Sequence, residues 1–208
     1  MTGGQAMNRR MAGRLAQLRV RVAEEAARIM REQGVRDFLL AKRKAAERLG
    51  VEDRTALPAN HEISAALSAQ QRLFGGDEHR ENLRSLREIA LRAMRLLEPF
   101  QPRLVGAVLD GTATPHSDVH LHLFADTPED VAFHLLERGV RYRTADRRLR
   151  LSTGLHASYP SFAFDAGATA VEATVFPLTA LRQAPSCPVT GGLMRRARQD
   201  ELETLLAE

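Results

Sequence analysis

Apolar side chains recur at steps of three and four along residues 8–33 (Met11, Leu15, Leu18, Val22, Ala26, Ile29), which predicts a helix with one apolar stripe that Gly34 ends. A second helix is expected over 37–49, opened by Asp37 as a cap and closed by Gly50. Pro58 and Asn60 punctuate, and a third helix is expected from about 61 to 74. Gly75-Gly76-Asp77 breaks it. A fourth follows to about 97, with Leu83, Leu86, Ala90, Ala93 and Leu97 as its stripe, until Pro99 and Pro102 stop it.

The period then changes. Leu104–Leu109 is an apolar run of strand length, Asp110–Pro115 reads as a loop, and residues 118–124 (Asp-Val-His-Leu-His-Leu-Phe) alternate strictly between polar and apolar, as a half-buried strand does. Pro128 begins a helix to about 138, with Thr127 as its cap and Glu129 and Asp130 in its first turn. Residues 140–144 and 147–151 are expected to pair as a hairpin. Strands are expected over 160–164 and 170–176, and short helices near 178–184 and 195–207. Four helices followed by β, β, α, β, β, β and a helix predict an α+β chain, with a helical N-terminal half (1–100) packed on a small mixed-sheet core (101–208).

Composition supports a packed chain: 44% of residues are hydrophobic and 27% charged. Aromatic content is 5% with no Trp, which argues against an aromatic platform for single-stranded nucleic acid. The formal charge is +4 and is unevenly placed: residues 1–100 hold 19 basic and 13 acidic side chains (+6), residues 101–208 hold 11 and 13 (−2). A basic half beside a slightly acidic one suits RNA or another anionic partner, although a solvated helical surface gives the same count. Cys187 is the only cysteine, so an internal disulfide is excluded and a reducing, cytoplasmic setting is expected. No run of 18 apolar residues suggests a membrane span. The opening Met1-Thr2-Gly3-Gly4-Gln5 resembles part of an epitope tag and is set aside from the fold.

Candidate chemistry gathers between Gly106 and Phe124. In a strand, Asp118, His120 and His122 share one face and Val119, Leu121 and Leu123 the other, so three ligand-type side chains point together toward solvent or a cleft. His116 and Ser117 arrive beside them from the loop. Glu172, in Ala170–Phe176, places a carboxylate on another short strand, where an unpaired charge is costly to bury.

The run Val105-Gly106-Ala107, a loop, then Ser117-Asp118-Val119-His120-Leu121, with Glu172 on a later strand, resembles the DNA polymerase beta-like nucleotidyltransferases. In that family a strand ends in Gly-Ser, a loop follows, then Ser-Asp-hydrophobic-Asp-hydrophobic, with a third carboxylate beyond. The resemblance covers roughly residues 100–176. It implies that Gly106, Ala107 and Ser117 contact a nucleoside triphosphate, and that Asp118, His120, Glu172 and His122 hold a divalent metal, with Asp118 and Glu172 catalytic. Magnesium or manganese is implied, and zinc becomes a candidate because of the two histidines. Two departures bear on this. Ala107 stands where the family has Ser, and His120 where it has the second Asp. The expected function is therefore metal-dependent nucleotidyl transfer to an acceptor the sequence does not identify, or a degenerate core that binds nucleic acid or protein. Oligomeric state is not legible.

Two other runs carry weaker signals. Gly191-Gly192 ahead of Arg195-Arg196 has the form of an anion-binding turn feeding a helix, or of a connector. Lys42-Arg43-Lys44 is a phosphate-contacting patch or a solvated helix face.

Overall fold

The computed structural model describes residues 3–207; Met1 and Thr2 of the tag-like opening lie outside it, as do the side chains of residues 3–10 and of Phe74. The chain is α+β, with seven helices, most of them N-terminal, and a five-stranded mixed sheet among the described residues. It forms two compact units. The first runs to Gly76 and takes in Thr114–His116; the second comprises Asp77–Ala113 and Ser117–Glu208. The division falls between Gly76 and Asp77, at the start of the fourth helix.

The first unit is built of α1 (Gly3–Gln33), α2 (Phe38–Leu49) and α3 (Asn60–Gln70). The Asp37 carboxylate caps α2 by accepting from the Leu40 N–H at 2.7 Å, and Gly50 closes it at φ 65°. Val22, Ala26, Ala27 and Ile29 of α1 meet Ala41 and Ala45 of α2 and Ile63 and Leu67 of α3 in one buried cluster. The alanines let the helices approach closely, and this packing carries a unit too short on large side chains to rest on bulk. The stripe predicted on α1 is buried only from Val22 onward; Met11 is 65% exposed. The break expected at Gly75-Gly76 is a π turn, Gln71–Gly75, leading directly into α4 (Gly76–Leu96).

In the second unit α4 is followed by β1 (Arg103–Val105), α5 (Ala107–Asp110), β2 (Val119–Phe124), α6 (Pro128–Glu137), β3 (Arg143–Arg150), β4 (His156–Ala166), β5 (Thr169–Phe176) and α7 (Gln199–Ala207). The sheet order is β1-β2-β5-β4-β3; β2 and β5 are parallel and every other pairing is antiparallel. One face is apolar. Leu104, Val119, Leu121, Leu123, Phe162, Phe164, Val171, Ala173 and Val175 join Leu86, Ala90 and Met94 of α4, Val131 and Leu135 of α6 and Leu202 of α7 in a single core. The alternation read over 118–124 put Val119, Leu121 and Leu123 in that core, where they are found.

Several elements differ from expectation for local reasons. The 104–109 run is not one strand: Gly106 takes φ 74° and ψ −154°, a conformation closed to other residues, and the chain turns into the short α5. The expected hairpin of 140–144 with 147–151 is instead the single strand β3, which pairs along its whole length with β4. The turn lies at 151–155, with Gly154 at φ 86°. Residues 178–182 form a 3-10 turn. The segment expected to be helical from 195 instead bridges Ala197 to Leu104 before α7 begins.

Gly34 and Gly50 offer a matched pair for testing the first unit. Both have φ 65°, but a Cβ on Gly50 meets open space, whereas on Gly34 it falls 3.0 Å from Cγ of His116 and 3.3 Å from its Cβ. The left-handed conformation alone costs an L-residue about 1–2 kcal/mol. We expect Gly50→Ala to cost about that much and Gly34→Ala more, measured by denaturant unfolding. Equal losses would mean that His116 does not pack over Gly34.

Candidate functional site

The second face of the sheet is polar. Register fixes it: His120 lies beside Glu172, His122 beside Thr174 and Phe124 beside Phe176 across the parallel β2–β5 pair, while Thr174 also faces Ser161 and Glu172 faces Ala163 on β4. All these side chains turn away from the apolar core. The predicted sharing of one face by His120 and His122 with Glu172 is thus realised on adjacent strands.

Glu172 sits on the middle strand of five, half-buried, with both oxygens engaged. Arg147 of β3 reaches across β4 and donates from Nη1 to Oε2 at 2.6 Å. The His120 Nδ1 lies 3.1 Å from that same oxygen, and the Ser161 hydroxyl donates to Oε1 at 3.2 Å. On β4, Arg147 stands opposite Tyr159 and Glu172 opposite Ala163, with Ser161 between those two positions. The hydrogen bond from His120, with the charge of Arg147, holds the Glu172 carboxyl at about 2 against an ordinary 4.5. An ionised carboxylate only accepts, so the proton between them belongs to His120 Nδ1.

His122 is buried at 4% exposure and serves a different end. Its Nδ1 accepts from Nε of Arg196 at 3.0 Å, and its ring packs on Phe176 with centroids 4.5 Å apart. Burial, with Arg196 alongside, pulls its pKa down to about 3, so the ring is neutral and its proton sits on Nε2. Arg196 lies 5.0 Å from the ring centroids of both Phe124 and Phe176 and donates from Nη1 to the Ala180 carbonyl at 2.9 Å. Its Nη2 is buried without a hydrogen-bond partner. Burial lowers Arg196 to about 10, which leaves it charged at neutral pH. This guanidinium ties the irregular 183–198 segment to the sheet.

The remaining predicted residues are dispersed. Asp118 is half-buried in the loop just before β2, and Ser117 precedes it. Gly106 lies beside His120: a Cβ there would come within 3.8 Å of the imidazole Cδ2. Ala107 opens α5 and brings no hydroxyl. His116 groups with the first unit. The Gly191-Gly192 turn closes on itself, with Cys187 N–H donating to the Gly192 carbonyl and Gly191 N–H to the Cys187 carbonyl, so it feeds no helix. Arg147, Ser161 and Tyr159 were not singled out from sequence, and Arg196 only as part of an anion-binding turn. Their roles come from strand pairing, which a single sequence does not display.

Several of the side chains that the resemblance assigns to a metal are engaged within the chain. The Nδ1 lone pair of His122 is taken by a guanidinium, and both oxygens of Glu172 are engaged by Arg147, His120 and Ser161.

Acid should loosen this face in two steps. His122 has a folded pKa near 3 against 6.5, so the unfolded chain binds more protons between those values. Its contribution is whole above pH 6.5 and declines as pH falls, by at most about 1.4 kcal/mol per pH unit. Glu172, near 2 against 4.5, adds the same sign below pH 4.5. Denaturant unfolding from pH 7 to 4 should show the slope, and His122→Asn, which keeps an acceptor but cannot titrate, should flatten it between 6.5 and 4.5. An unchanged slope in that variant would remove His122 as the source. No protein-family model, no curated protein and no solved structure matches this chain.

Proposed function

We propose that the second unit is a nucleotidyltransferase-like core that no longer performs the transfer and that the protein works by binding an anionic partner. One observation carries the reading: the carboxylate that would complete a metal site is bound instead by Arg147 at 2.6 Å. A cation built into the chain takes the place that the family's chemistry gives to a metal ion. His120 joins the same carboxylate rather than supplying a second one, and Ala107 withholds the hydroxyl that the family's turn offers to phosphate.

Likeness to the family rests on order and placement. Gly106 ends β1, Asp118 precedes β2, Glu172 lies on β5, and β1, β2 and β5 are neighbours in the sheet. His120 and Glu172 stand directly opposite each other, where two ligands of one ion would. That register favours the second reading, a metal-dependent nucleotidyltransferase in which Asp118, His120 and Glu172 act once Arg147 withdraws.

Thermal unfolding separates the two. The protein is heated with magnesium, manganese or zinc, each with and without mixed nucleoside triphosphates, beside Asp118→Ala and Arg147→Ala. A ligand at a hundred times its dissociation constant adds about 2.7 kcal/mol of stability. The expected result is no metal-dependent nucleotide shift in the natural sequence. Such a shift, lost in Asp118→Ala, would overturn the proposal in favour of catalysis.

A further inference from the structure

Charge in the second half of the chain is concentrated in one strand. Residues 101–208 sum to −2, yet 141–150 hold Arg141, Arg143, Arg147, Arg148 and Arg150 against Asp146 alone, a local +4. Outside that stretch the same half is acidic, with 12 acidic and 6 basic side chains. The five arginines fall on and beside β3, the edge strand of the sheet, and every residue of β3 except Leu149 is exposed.

Their partners divide them. Arg147 is committed to Glu172, and Arg143 lies 3.7 Å from the exposed Asp165. Arg141, Arg148 and Arg150 pair with no carboxylate among the described residues. Arg148 and Arg150 share one face of the strand, beside Ser158 and His156 of β4, and stand about 7 Å apart at the usual strand rise. Arg143 and Arg147 occupy the other face.

An exposed edge needs charge to avoid pairing with another strand, and one or two charges suffice for that. Five arginines against an acidic background exceed it. Arginine presents a planar fork of donors that matches phosphate oxygens, and regularly spaced forks suit a regularly charged chain. An acidic protein strand is less well served. Adding a strand to a sheet edge takes its specificity from pockets for alternate side chains, whereas β3 presents exposed charged side chains along its length. Stacking is also absent from the offer: Tyr159, opposite Arg147, packs on Phe176 with centroids 4.4 Å apart, and there is no Trp.

From this we infer that the β3 edge, through Arg141, Arg148 and Arg150, is a nucleic-acid surface that grips the phosphate backbone without reading sequence. The inference rests on the binding reading above and names its partner. Without stacking, base-paired nucleic acid is bound at least as tightly as single strands of equal length, because its charge density is higher.

The test is fluorescence anisotropy with labelled 20-base-pair duplexes of DNA and of RNA, each of mixed sequence, titrated at several salt concentrations. The triple variant Arg141→Gln/Arg148→Gln/Arg150→Gln is compared with Lys42→Gln/Arg43→Gln/Lys44→Gln, which removes the same charge from α2. The expected result is a loss of at least tenfold in the β3 variant, with a salt slope shallower by about 0.9 for each DNA phosphate contact removed, and little change in the α2 variant. Arg148→Glu, a single exposed change, gives the same direction should the triple variant fold poorly. Equal losses in both triple variants, or competition by polyglutamate or by anionic vesicles as strong as by duplex, would overturn the assignment. If the natural protein binds duplex and the β3 variant binds as well, the surface is wrong while the binding reading stands. A metal-dependent nucleotide shift together with loss of duplex binding in the β3 variant would do the reverse.

Discussion

A carboxylate on the middle strand of a sheet must be compensated, and the polar face of this protein is arranged around that need. Glu172 would be expensive if half-buried and alone. It is held from one side by His120 on the neighbouring parallel strand and from the other by Arg147, which crosses β4 to reach it. Ser161 of β4 adds a hydrogen bond of its own. One charge network therefore links β2, β5, β4 and β3 on the face opposite the core. The apolar face needs no such device, since its side chains are interchangeable in kind; the polar face depends on individual residues.

The same network decides what chemistry the face can support. A metal site asks for carboxylates whose oxygens point at a common empty position. Here those oxygens point at a guanidinium that arrives from an edge strand. Arg147 is partly exposed, at 44% of its side chain, so the pair is not sealed from solvent. The positive charge of Arg147 thus stands where the Glu172 carboxylate would otherwise attract a cation. It also leaves the surrounding surface suited to anions, which is the direction in which β3 extends it.

Much of the fold was legible because period and chemistry agreed. The strict alternation of 118–124 fixed which side chains enter the core, and the caps Asp37 and Gly50 stand where the sequence placed them. Failures came where one residue's conformation overrode a run. Gly106 cuts an apolar strand short, and the hairpin expected of 140–144 with 147–151 is one continuous strand. The helical stripe was over-read at Met11, which stays exposed because apolar spacing alone does not supply a partner. At the candidate site, His120 and Glu172 could be paired in principle from their strands. Arg147 and Arg196 could not, since each acts across elements whose pairing no local pattern records. The sequence placed His120 and His122 in one class, yet burial separates them: one ring faces a carboxylate and the other a guanidinium.

That separation explains how the two ends of the polar face differ. Toward Phe124 and Phe176, Arg196 is half-buried among two aromatic rings, a neutral imidazole and the Ala180 carbonyl. His122 must stay neutral there, because a second positive charge in the same enclosure would have nothing to balance it. Toward β3 the situation inverts: Glu172 supplies the negative charge, and the arginines that follow along the edge lie open to water. A half-buried cation beside a neutral ring anchors the chain at one end, and exposed arginines line the edge at the other. The sheet keeps the two apart by spending its one central carboxylate between them.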